Sequence, residues 1–329
     1  MNRLVAIVGP TATGKSALAI EIARRFNGEI VACDSTAVYR GLDIGTDKVP
    51  RDAQRGIPHH LVDMVDIAGV YSAADYVRDA AAVIRAVTAA GRLPVLCGGT
   101  GFYVRALVRG LFPGPPRQDA LRARLDRVAA GRGVDALWRW LRRVDPASAA
   151  RIMPRDQKRL VRALEVFLVT RRTLTAHFEE TASAIADYQV LTIGLTLDRE
   201  RLRERVSRRV DDQLAAGVVD EVRRHLAAGV PSRAHAFSGL VYRQVMEHLS
   251  GVRDLGATRE LIVQENMRYA RRQRLWFQKE SGIQWVAGPG ESPKAAEAAA
   301  ACVSAFLGGV SRAAGDETVP SPLASVGDA

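Results

Sequence analysis

The stretch VGPTATGKSALA, residues 8–19, constrains the fold more than any other part of the chain. It fits the pattern G-x-x-x-x-G-K-[ST], with Gly9, Gly14, Lys15 and Ser16 in the required places. Such a loop works where a strand delivers it and a helix leaves it, because its backbone N–H groups must converge on phosphate oxygens. The preceding RLVAIVG has the length and apolarity of a buried strand, and the residues from about Lys15 to Phe26 read as a helix. Lys15 is placed to neutralise an outer phosphate, and Ser16 to ligate Mg²⁺. The pattern alone says that a di- or triphosphate binds, not which.

Three further apolar runs have strand length. GEIVACDS ends at Asp34, LPVLCGGTG ends in glycines, and YQVLTIGLTL spans about 188–197. Continuous apolar strands alternating with helical segments predict an α/β fold, a P-loop parallel sheet covered by helices on both faces. From about Pro116 to Asp187 the pattern is helical throughout. Residues 117–172 hold fifteen Lys/Arg against six Asp/Glu. We therefore expect an inserted all-helical basic domain, with FPGPPR at 112–117 as its boundary. The expected organisation is a first part of the core over 1–115, the insertion over 116–187, and a second part of the core with C-terminal helices over 188–287. A helix and disordered tail follow over 288–329, the helix capped by Ser292 with Pro293 in its first turn.

The chain has 329 residues, 47% of them hydrophobic, enough for a sizeable core. Its net charge of +11 favours a polyanionic partner. Cys33, Cys97 and Cys302 match no zinc spacing and suit a reduced, cytoplasmic compartment. The N-terminal apolar run is too short for a signal peptide or membrane span, so no membrane association is expected.

A phosphoryl-transfer enzyme normally carries a second strand-terminal acid to hold Mg²⁺. The third strand ends in VLCGGTG, without one. Parallel strands bring Asp34 and the turn at Gly98–Gly101 to the rim that carries the loop. Asp34 is thus available as a metal-linked acid or as a base, and Thr100 offers a hydroxyl nearby. From the residues alone, an ATP-dependent small-molecule kinase with an arginine-rich lid near 199–209 is the alternative.

Four stretches together resemble one family: GPTATGKSALA (9–19), DSTAVYRGLDIGTDK (34–48), PHHLVD (58–63) and GGTGFYVRAL (98–107). With RLVRALEV (159–166), the chain is similar to the bacterial tRNA dimethylallyltransferases, also called tRNA isopentenyltransferases, from about residue 3 to about 286. The resemblance implies transfer of a dimethylallyl group from dimethylallyl diphosphate to N6 of the adenosine just 3′ of the anticodon. ATP hydrolysis then plays no part. Gly9, Pro10, Thr11, Ala12, Thr13, Gly14, Lys15 and Ser16 would hold the donor diphosphate, with Mg²⁺ on Ser16. Asp34 would act as base, alongside Thr100 and Lys15. By the same resemblance Asp34, Ser35, Thr36, Ala37 and Thr100 contact tRNA at the target adenosine. Arg122, Gln157, Lys158, Arg159, Leu160 and Val161 contact it in the insertion. A monomer suffices, with no obligatory protein partner. One block departs: where many members read close to IGYRE, this chain has SGLVYRQ (238–244).

Other residues read as structural. One of His59 and His60, after a proline in a loop, is expected to be a satisfied histidine. Ile262, Tyr269 and Trp276 lie seven apart on one helix face and read as core. Arg268, Arg271, Arg272 and Arg274 could face RNA phosphates. Cys33 and Cys97 read as small core fillers.

Overall fold

The computed structural model describes residues 2–112 and 114–308. Its centre is a six-stranded sheet: β1 (Asn2–Val8), β2 (Gly28–Ala32), β3 (His59–His60), β4 (Leu93–Cys97), β5 (Tyr188–Thr196) and β6 (Ile283–Ala287). The strand order is β3-β2-β4-β1-β5-β6 and every pairing is parallel. β1 lies between β4 and β5, and five of its seven residues are fully buried because helices cover both faces. The expected α/β sheet is therefore present, with two strands the sequence reading did not anticipate. β3 has two residues, too few to show a period. It takes His59 and His60 out of the expected loop: His60 Nε2 pairs with Glu29 at 2.6 Å, and His59 Nδ1 lies 2.8 Å from the Ile57 carbonyl.

Helices α1 (Lys15–Arg25), α2 (Ala73–Ala89) and α3 (Gly101–Arg109) follow β1, β3 and β4. A capping box starts α2, Ser72 and Asp75 each satisfying the other's backbone N–H. Five helices come next: α4 (Asp119–Arg132), α5 (Val134–Val144), α6 (Pro146–Arg151), α7 (Gln157–Thr170) and α8 (Leu174–Glu179). They enclose a separate apolar cluster that includes Leu125, Leu137, Leu141, Leu160 and Leu164. After β5 come α9 (Arg199–Ala215), α10 (Val218–Ala227), α11 (Tyr242–Leu249) and α12 (Leu255–Phe277), and after β6 comes α13 (Pro293–Gly308). The Ser292 hydroxyl accepts from the Ala295 N–H at 3.2 Å, as the expected cap. The predicted disordered tail beyond 308 lies outside the described residues. No helix among the described residues is long and apolar enough to cross a membrane.

Candidate active site

Because the strands are parallel, the ends of β1, β2 and β4 share one rim. A cavity of about 720 Å³ opens there, within the range of small-molecule sites. Thr11, Ala12, Gly14, Lys15 and Ser16 line it, as do Asp34, Ala37, Gly98 and Gly99. The phosphate loop curls back on itself. The Thr13 hydroxyl donates to the Pro10 carbonyl at 2.9 Å, and Lys15 Nζ donates to the same carbonyl at 2.7 Å. The first intrahelical bond of α1 runs from Leu18 N–H to the Gly14 carbonyl. The N–H groups of Lys15, Ser16 and Ala17 therefore have no partner within the helix and suit an anion. Burial lowers the Lys15 ammonium to about 8, so charge is held there at a cost that a bound anion would relieve.

Asp34 follows β2 and builds the turn after it. Its Oδ1 accepts from Thr36 N–H at 2.8 Å, the Thr36 hydroxyl at 2.6 Å and Ala37 N–H at 3.3 Å. Oδ2 takes none of these bonds, so one oxygen orients the carboxylate and the other is available at the cavity. The Ser35 N–H donates to Thr100 Oγ1 at 3.3 Å, which joins the ends of β2 and β4. Gly98 is required by this closeness: a Cβ there would lie 2.0 Å from the Cys33 carbonyl oxygen. Asp34, Ser35, Thr36, Ala37 and Thr100 thus come together beside the phosphate loop.

Several residues of the site were not legible in the sequence as such. Tyr269 on α12, expected in the core, lines the cavity. Burial pushes the pKa of its hydroxyl up to about 12. Gln273, one turn on, accepts from Thr11 N–H at 2.8 Å and donates to the Gly99 carbonyl at 2.9 Å, tying the phosphate loop to the β4–α3 turn. Arg209 donates to Thr11 Oγ1 at 2.9 Å, and Arg205 to the Ala12 carbonyl at 2.7 Å. Two arginines of the 199–209 stretch expected of a lid, Arg205 and Arg209, therefore grip the loop itself. Cys97, expected as a core filler, lines the cavity as well, its thiol raised to about 11 by burial. Cys33 is fully buried, as expected.

The SGLVYRQ block supports the cavity wall. The buried Tyr242 hydroxyl accepts from Gly45 N–H at 3.0 Å and donates to Glu221 Oε1 at 2.6 Å. Glu221 Oε2 in turn accepts from the N–H groups of Asp43 and Ile44 at 3.0 and 2.9 Å. These bonds fix residues 43–45 of the wall. Val241, a β-branched residue, holds φ at +73°, a conformation with a cost of about 1–3 kcal/mol.

The remaining expected tRNA residues are in the helical region. Leu160 and Val161 are core residues, 0% and 4% exposed, so their side chains are not available to RNA. Lys158 and Arg159 are exposed, and Gln157 Nε2 donates to Asp126 at 2.7 Å. Arg122 makes a two-pronged bond to Glu165, at 2.9 and 2.8 Å. Glu165 is fully buried, and Arg162 and the Gln118 N–H complete its shell. These partners hold its carboxyl down to about 2 despite burial.

For Mg²⁺, the oxygen donors fit a hard cation. Ser16 and Asp47 line the cavity, and Ser16 is exposed at the start of α1. Among the described residues no group of three or more His, Cys, Asp or Glu could hold a metal. A cation that keeps waters and arrives with a diphosphate suits such a site better than a protein cage.

Comparison with known proteins places these features in context. The IPP transferase family model matches residues 37–280. The tRNA dimethylallyltransferase of Geobacter metallireducens is 46% identical over 290 residues, covering 88% of this chain and 94% of the relative. That of Solibacter usitatus is 45% identical over 308 residues, covering 93% and 99%. The crystal structure of the tRNA isopentenylpyrophosphate transferase from Bacillus halodurans superposes with a TM-score of 0.69. It is 33% identical and covers 94% of this chain and 96% of that one.

Proposed function

The chain belongs to the IPP transferase family and transfers a dimethylallyl group to tRNA; we propose that its phosphate loop holds the donor diphosphate and that Asp34 is the general base. The observation that carries this reading is the convergence on one cavity of an anion-binding loop and a carboxylate with one oxygen unspent. The acceptor is N6 of the adenosine 3′-adjacent to the anticodon. That amine is a weak nucleophile, its lone pair being delocalised into the ring, and it must lose a proton as the new bond forms. N6 attacks the allylic carbon, the C–N bond forms, and the C–O bond to diphosphate breaks with its electron pair. Asp34 Oδ2 accepts the amine proton. Thr100, whose hydroxyl accepts from Ser35 N–H, is positioned to meet the adenosine. The target base leaves its stack to reach the cavity.

Lys15, the unpartnered N–H groups at the start of α1, and Arg205 and Arg209 stabilise the departing diphosphate. Ser16 would hold Mg²⁺, which supplies further neutralisation of diphosphate charge when bound. Lys158 and Arg159 offer charge to the tRNA backbone. A small-molecule kinase with a lid at 199–209 is disfavoured, since Arg205 and Arg209 of that stretch bond the loop rather than close over it.

The decisive experiment is incubation with unmodified tRNA and labelled dimethylallyl diphosphate, with and without ATP. Labelled tRNA should form with Mg²⁺ and without ATP. Strict ATP dependence of product formation would sink the reading.

A further inference from the structure

The residues after β6 lie beyond the segment matched by the family model, yet they complete the phosphate loop from its outer side. At Gly288 the chain turns back, and the Gly290 N–H donates to the Thr13 carbonyl at 2.9 Å. Glu291 sits against Gly14: a Cβ on Gly14 would fall 2.1 Å from Glu291 Oε2 and 2.7 Å from the Gly290 nitrogen. Gly14 also holds φ at +85°, so both space and backbone conformation demand glycine. Glu291 Oε1 pairs with Arg205 Nη1, and the Nε of the same guanidinium donates to the Ala12 carbonyl. One arginine therefore bridges the phosphate loop and the C-terminal turn. The turn is anchored in its own right. Ala295, Ala299 and Val303 of α13 are fully buried in the cluster that contains Ile22 of α1, and Glu297 pairs with Arg25 at 2.7 Å.

A loop that aims its N–H groups inward must turn carbonyls outward, and each needs a donor. Gly290 supplies one for Thr13, and Arg205 supplies one for Ala12. Arg205 has a long side chain with large rotamer freedom and would leave the loop if nothing held its far edge. We propose that the 288–291 turn is a positioning element of the donor site, and that Glu291 is a positioning residue acting through Arg205. This rests on the reading that the loop binds the donor diphosphate.

The test compares Glu291→Gln, Arg205→Ala and the double variant, with Lys15→Met as control. Steady-state kinetics with saturating tRNA give KM and kcat for dimethylallyl diphosphate, and calorimetry gives the affinity for inorganic diphosphate. Glu291→Gln should raise the donor KM by about 5–20-fold, the loss of one charge-assisted tether. The kcat should change less than about threefold and the KM for tRNA not at all, since the base and the RNA surface are elsewhere. The double variant should be no worse than Arg205→Ala alone, because Glu291 acts through that arginine. An unchanged donor KM, tighter diphosphate binding, or losses that multiply in the double variant would each overturn the proposal. If Lys15→Met binds diphosphate as wild type does, the loop is not the donor site and the underlying reading fails. If Lys15→Met loses binding while Glu291→Gln keeps it, the positioning role alone fails.

Discussion

Asp34 uses one carboxylate oxygen for structure and leaves the other for chemistry. Asp34→Asn separates the two roles, because an amide oxygen can still accept from Thr36 and keep the turn while its NH₂ cannot take a proton. Under single-turnover conditions the chemical step should slow by roughly 10²–10⁴ with the melting temperature unchanged. A rate within about threefold of wild type would remove Asp34 as base. Lys15 gives a second test, through pH. Its ammonium titrates near 8 in the free protein because burial disfavours the charge. Donor affinity should therefore fall as pH rises through 8, by up to about tenfold between pH 7 and 9. Lys15→Met should bind weakly and lose that pH dependence. The sign for stability is opposite. The unfolded lysine keeps its proton to about 10.5, so the ligand-free protein should gain stability as pH rises from about 8 to 10.5. Asp34 was legible because it closes an apolar run, whereas Tyr269 was not. An aromatic at helical spacing reads as core whichever wall it faces.

Two helices carry the next level of organisation. α12 is a strut whose Gln273 amide joins two loops that come from different strands. Gln273→Ala leaves the Gly99 carbonyl and the Thr11 N–H unpaired and should cost about 1–3 kcal/mol. The donor KM should rise with it, since the phosphate loop loses its tie; an unchanged KM in a folded variant would contradict the strut. In the helical region α7 presents two kinds of residue. Glu165 faces inward to Arg122 and Arg162, and Lys158 and Arg159 face outward. Arg122→Ala should destabilise by about 1–3 kcal/mol, less than a fully stranded charge because Arg162 and Gln118 remain. The double change Lys158→Ala, Arg159→Ala should leave stability alone. It should flatten the slope of log K against log[salt] for tRNA by nearly one unit per lost phosphate contact. An unaltered slope would move the RNA surface elsewhere. Composition told that this region is basic but not which arginines are spent on Glu165. That division depends on which face of α7 meets α4.

At the scale of the molecule, the sheet and the helical region have separate apolar clusters. Saturating diphosphate should therefore protect the core selectively. At about 100 times Kd the linkage contributes about 2.7 kcal/mol. Hydrogen exchange should slow at the start of α1 and the 288–291 turn while α4, α5 and α7 are unaffected; uniform protection would argue against this. The chain by itself determined four of the six strands, the phosphate loop, the acid at the end of β2 and the position of the basic helices. These are local signals, written in apolar runs, glycines and the spacing of a few residues. Only the tertiary structure decided what surrounds the loop. Arg205, Arg209, Gln273 and Glu291 reach residues 11–14 from more than 190 positions away. Such contacts have no period and no motif, because they are set by how α9, α12 and the turn after β6 pack on the rim. The sheet order, with β1 between β4 and β5, fixes that packing, and sheet order is a property of pairing energies across the whole chain rather than of any stretch within it.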